Sequence, residues 1–107
     1  MWKPIEKEQI LRDIESCEDI LFNDPRRLRF WEYIKITPEK WVEKTMGELG
    51  EGFWIVAIFG KSVIYYNDIE EGYNVSSFTN YGEIDEYAVN QFELYEVIES
   101  IFSRFEK

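Results

Sequence analysis

Histidine is absent from the 107-residue chain, and cysteine occurs once, at Cys17. Without histidine, Ser-His-Asp and Cys-His catalysis, His-bearing zinc sites and imidazole acid-base chemistry are all excluded. A single cysteine can form no internal disulfide and no one-chain zinc or iron–sulfur cluster. Its soft, apolar character assigns Cys17 to the core. No GxGxxG or GxxxxGK[ST] loop is present to cradle phosphates. No apolar run approaches the roughly 18 residues of a spanning helix, and the opening "MWKPIEKEQI" lacks the apolar region of a signal peptide. These absences lead us to expect a soluble, cytoplasmic protein that is not an enzyme and carries no cofactor or metal.

A further absence is local. Residues 62 to 103 contain no lysine or arginine but nine carboxylates: Asp68, Glu70, Glu71, Glu83, Asp85, Glu86, Glu93, Glu96 and Glu99. The net charge of −10 divides unevenly, with nine basic against ten acidic residues over 1–44 (−1) and three against twelve over 45–107 (−9). Such a segment repels nucleic acid and anionic membrane and attracts a cationic partner. Aromatic residues make up 18% of the chain, which excludes a disordered composition, and the length suits one domain.

Periodicity gives an α+β reading. Ile10, Ile14, Cys17 and Leu21 recur at helical spacing, predicting a helix from about Pro4 to Phe22 that "NDP" at Asn23–Pro25 ends. "RLRFWEYIKI" alternates with period two and reads as a strand, and the Thr37-Pro38-Glu39 order predicts a short helix over "TPEKWVEKTM". "GELGEG" reads as a loop. "FWIVAIF" (Phe53–Phe59) reads as a buried strand, Gly60-Lys61 as a tight turn and "SVIYYND" as its hairpin partner. "GYNVSSFTNYG" supplies another strand, and Leu94, Val97 or Ile98, Ile101 and Phe105 predict a final helix from about Val89. The expected architecture is an antiparallel sheet of about four strands with a central meander, packed against N- and C-terminal helices.

The acidic turns admit several chemistries. "NDIEEG" superficially resembles an EF-hand loop, but with Gly72 sixth the third and twelfth ligand positions fall on Ile69 and Phe78, which are hydrocarbon. A looser Mg²⁺ or Ca²⁺ site on Asp68, Glu70 and Glu71 stays open. Asp68 with Glu83 or Asp85 could form a glycosidase pair, yet nothing in the spacing fixes two carboxylates at the required distance. Tyrosines among carboxylates also suit a protein interface, where aromatic anchors supply contact area and charge steers association. On that reading Asp68, Glu70, Glu71, Glu83, Asp85 and Glu86 are charge partners, and Tyr66, Tyr73 and Tyr81 are aromatic anchors. Tyr65 and Tyr66 are neighbours in a strand and must face opposite sides.

The segment "GEGFWIVAIFGKSVIYYNDIEEGYNVSSFTNYGEIDEYAVNQFEL", within residues 30–100, resembles small bacterial immunity proteins of contact-dependent growth inhibition and related polymorphic toxin systems. The likeness is carried by "FWIVAI", "YNDIEEGYN" and "GEIDEY". It implies a non-enzymatic toxin inhibitor that binds a cognate toxin domain, often a nuclease, in the cytoplasm of the producing cell. A nuclease is basic in order to hold phosphates, so an acidic inhibitor suits it electrostatically. The other reading is a small acidic ligand-binding, divalent-metal-binding or regulatory interaction domain.

Overall fold

Ile10, Cys17 and Leu21 are buried on one side of a helix α1, Lys7–Leu21. A computed structural model describes residues 5–43 and 52–105 of the chain; the expected helix start at Pro4 and most of "GELGEG" lie outside them. Asp24 caps a second helix, α2 (Pro25–Ile34), its side chain accepting from the Arg27 backbone N–H at 3.3 Å, with Pro25 in the first turn. Pro25 lacks the N–H that a first-turn residue has no use for.

This helix corrects the strand expected over "RLRFWEYIKI". Trp31 and Ile34 are buried three residues apart, with Leu28 packed against the same core. The period-two alternation in that stretch is coincidental to the spacing of three. Trp31 is fixed by its indole N–H, which donates to Glu18 Oε2 at 2.8 Å.

The expected short helix over "TPEKWVEKTM" is also corrected. Residues Lys35–Glu43 form strand β1, which follows α2 directly. Its pairing with the next strand shifts between Lys35 and Glu39. Pro38 falls inside that irregularity, one of the few strand contexts that tolerate its missing N–H. Residues 44–46 lie outside the described residues.

The meander appears as expected: β2 (Phe53–Phe59), β3 (Ser62–Asn67) and β4 (Gly72–Ser77) pair antiparallel in sequence. β4 stops at Ser77, short of the expected Gly82. A further strand, β5 (Glu83–Ile84), pairs parallel with β1 at Val42 and Glu43. The sheet therefore has five strands in the order β4-β3-β2-β1-β5, one more than expected, within an α+β fold. The last helix, α3, spans Leu94–Phe105 and begins later than the expected Val89. The Glu93 N–H donates to Glu96 Oε1 at 2.8 Å while the Glu93 carbonyl accepts from Val97 N–H. This is the return half of a capping box.

Each face of the sheet carries a core. On one, Trp54, Val56, Ala57, Ile64, Tyr66, Tyr73 and Val75 pack with residues of the three helices. On the other, Trp41, Phe53, Ile55, Val63, Tyr65 and Ile84 form a second cluster. Val56 and Ala57 are consecutive yet share the helix-side core, because the β2–β3 register slips between Ile55 and Ala57. A bulge of one residue restores the alternation beyond it.

The chain from Asp85 to Phe92 closes the outer edge of β4. Asp85 N–H donates to the Ser77 carbonyl at 3.0 Å, and Tyr73 N–H donates to the Phe92 carbonyl at 2.9 Å. Since β5 pairs with β1 at the opposite edge, this strap bridges both edges and curls the sheet. Covering a sheet edge satisfies backbone groups that would otherwise invite pairing with another chain. Asn74 holds the strap at both ends of its amide, donating to the Asn90 carbonyl at 2.9 Å and accepting from Asn90 N–H at 3.1 Å.

Candidate functional site

Tyr66 and Tyr73 are cross-strand partners at the end of the β3–β4 hairpin. Their rings lie 4.8 Å apart, tilted by 56°. Around them opens a depression of about 390 Å³ lined by Asp13, Glu71 and Glu93, with Gln9, Gln91 and Phe92 completing its wall. Among the described residues, no lysine or arginine lines it.

The turn beside this depression is built by Asn67. Its buried side-chain oxygen accepts from the Ile69 and Glu70 backbone N–H groups, each at 3.1 Å, and its amide donates to the Ala88 carbonyl at 2.8 Å. An asparagine that mimics a backbone turn in this way fixes the loop locally. Glu71 has φ 60°, in the left-handed region. Gly72 then passes so close to the strap that a Cβ there would lie 2.3 Å from the Asn90 carbonyl oxygen.

Tyr73 is buried at 3% exposure, and its hydroxyl donates to Asp13 Oδ2 at 2.8 Å. Gln9 holds the other Asp13 oxygen at 3.0 Å. Burial, then the nearby Asp13, Glu71, Asp68 and Glu93 carboxylates, push the Tyr66 phenol up to about 12. Burial and the contact with Asp13 also raise the Tyr73 phenol. Both rings therefore keep their protons at neutral pH. The depression combines the half-buried Tyr66 ring with negative charge, which is chemistry for an ammonium or guanidinium group.

The remaining candidate residues are distributed as follows. Asp68 is 9% exposed, and its Oδ2 accepts from Ile5 N–H at 2.9 Å, so it anchors the chain entering α1. Burial raises its carboxyl above the ordinary range, against the lowering influence of that N–H and of Lys40. Glu70 is half-buried in the turn, and its carbonyl accepts from the Gln91 side chain at 3.0 Å.

Asp85 and Glu86 lie at the other end of the hairpin, whereas Tyr81 and Glu83 lie against β1. The β3–β4 register runs from Asn67↔Gly72 to Ser62↔Ser77, and five residues of strand separate the ends by roughly 17 Å. There the Ser77 hydroxyl sits 3.2 Å from Asp85 Oδ2 and 3.1 Å from Glu86 Oε1, and Thr79 Oγ1 donates to the same Asp85 oxygen at 3.1 Å. Glu83 is half-buried in β5. Tyr81, 69% exposed, donates its hydroxyl to Glu39 and stacks on Trp41 at 4.7 Å between ring centroids.

The fold thus brings Tyr66, Glu71 and Tyr73 together, sets Asp68 and Glu70 in the turn beside them, and leaves the other four away from the depression, Asp85 and Glu86 beside Ser77 and Tyr81 and Glu83 against β1. Asp13 and Glu93 are the members that sequence reasoning missed. Asp13 lies on the polar side of an amphipathic helix and Glu93 in a helix cap, positions that carry no local signal of a site.

Among the described residues, no group of three or more Asp, Glu or Cys side chains is placed to hold a metal ion. No helix among them is long and apolar enough to cross a membrane. Comparison with protein-family models, curated proteins and solved structures finds no match.

Proposed function

We propose that this protein is a stoichiometric inhibitor, an immunity protein that neutralises a cognate basic toxin domain by binding it. The observation that carries the reading is the depression beside Tyr66 and Tyr73, walled by Asp13, Glu71 and Glu93 with no basic residue among the described residues of its lining. Half-buried Tyr66, backed by buried Tyr73, offers contact area and the carboxylates offer charge, so a lysine or arginine of the partner is the natural guest. A nuclease fits best as partner class, because the basic surface that holds phosphates is complementary to this one. Binding rather than turnover is the activity, with the cytoplasm of the toxin-producing cell as its place of action.

The test is co-expression with the C-terminal domain of a toxin encoded immediately upstream. The reading expects a one-to-one complex on size-exclusion chromatography and survival of cells that the toxin alone kills. Complex formation unchanged by Glu71→Lys combined with Glu93→Lys would overturn the acidic-pocket mechanism.

A further inference from the structure

A second concavity adjoins the first. A groove of about 820 Å³ runs between the end of α1, α3 and β4, and Phe92 lines both it and the acidic depression. Its walls are apolar where Ile20, Val75, Tyr95 and Val97 contribute. Ile20 is 52% exposed, Phe92 46% and Tyr95 40%, and all three line this one groove, where grouped exposed apolar side chains mark an interaction surface. The groove's own charged lining is mixed, with Arg27 paired to Asp24 and Glu99 and with Glu96 and Arg104 beside them, whereas the depression beyond Phe92 carries carboxylates.

From this arrangement we infer that groove and depression take one occupant, an amphipathic helix of a basic protein partner. Its apolar face lies between α1 and α3, and its cationic end crosses Phe92 to reach Glu71 and Glu93. A second copy of this chain is a poor occupant, because each copy carries a net charge of −10 and like charge opposes self-association. A purely hydrocarbon ligand would leave the carboxylates beyond Phe92 unengaged. A helix with aliphatic residues spaced along one side and lysines at one end satisfies both parts, in the helix-in-groove mode of recognition. The inference rests on the acidic-pocket reading above and extends it to the partner's shape.

The test uses the full chain and a fluorescein-labelled synthetic helix of about fourteen residues, with leucines along one face and lysines clustered at one end. Fluorescence anisotropy should show saturable one-to-one binding. Replacing the lysines by glutamate, or the leucines by serine, should each weaken it about tenfold or more. Ile20→Ser with Tyr95→Ser should weaken the original peptide by about as much, as should Glu71→Gln with Glu93→Gln, whereas Leu11→Ser, exposed on α1 outside the groove, should not. Circular dichroism on each variant confirms that it is folded. If only the glutamine pair matters, the groove inference falls and the acidic pocket stands. If the glutamine pair has no effect, the shared occupant and the pocket reading fall together, and absence of saturable binding overturns the inference outright.

Discussion

The Tyr73 hydroxyl donates to Asp13 Oδ2 at 2.8 Å across 60 positions of sequence, and this bond ties the β4 edge to the middle of α1. It does two things at once. It satisfies a phenol buried against the helices, and it sets a carboxylate at the wall of the depression with Gln9 holding its other oxygen. Tyr73→Phe removes the donor and leaves Asp13 half-buried with one partner fewer. A hydrogen bond to a charged acceptor is worth about 1.5–3 kcal/mol when buried, and partial exposure of Asp13 reduces the expected loss to about 1 kcal/mol. Urea denaturation, compared at neutral pH, measures it through the midpoint at unchanged slope.

Gly72→Ala should be more costly. The glycine's backbone is not in the left-handed region, so the effect is one of space alone. An added Cβ would meet the Asn90 carbonyl oxygen at 2.3 Å and Gln91 Cα at 2.4 Å, both backbone atoms of the strap. The strap has to move away from β4, which strains the Asn74–Asn90 pair and the Tyr73–Phe92 bond. We expect a loss of about 2–3 kcal/mol, in the range of overpacking, with earlier hydrogen exchange at Tyr73 N–H. Gly60→Ala has only its φ of +58° to contend with and open space around it, so its cost stays near 1 kcal/mol.

These positions show how far the sequence carried the fold and where it stopped. Helix α1, the β2–β3 hairpin and the core position of Cys17 were legible because each is written in a local pattern of apolar residues. Asp24-Pro25 was read as the end of one helix, while the same residues begin the next. Thr37-Pro38-Glu39 carries every mark of a helix start, yet tertiary pairing with β2 makes it a strand, with Pro38 lodged in an irregularity. The candidate site was half legible. Tyr66, Glu71 and Tyr73 share one turn, whereas Asp13 and Glu93 reach it only through the packing of α1 and the strap. The "GEIDEY" carboxylates, fifteen positions from those of "NDIEEG" in sequence, end on β5 and beside Ser77 at the opposite end of the hairpin, a separation that composition cannot express.

Alkaline pH should destabilise the fold over a defined window. Burial pushes the Tyr65 and Tyr66 phenols from 10.0 up to about 12. Below 10 both folded and unfolded chains hold these protons, and stability is unaffected. Between 10 and 12 the unfolded chain releases them and the folded one keeps them, so the native state binds more protons and stability falls as pH rises. Thermal melting followed across that window should show a steady drop in Tm, smaller in Tyr66→Phe. A flat profile would show that these rings titrate normally and are not buried as described.

Salt dependence of association distinguishes the depression from the carboxylates outside it. An inhibitor steered by fixed carboxylates associates quickly at low ionic strength and more slowly as salt screens the field over about 10 Å at 0.1 M. If the Tyr66–Tyr73 depression is the contact, Glu71→Lys with Glu93→Lys should lower the association rate for the cognate toxin domain by about tenfold at low salt and flatten its salt slope. The matching reversal, Glu83→Lys with Glu86→Lys, changes net charge by the same amount. Placed outside the lining of the depression, it should slow association only modestly and leave the dissociation rate untouched. Stopped-flow measurements at several salt concentrations read both quantities. Equal effects from the two pairs would mean that overall charge, and not the tyrosine-lined depression, governs recognition.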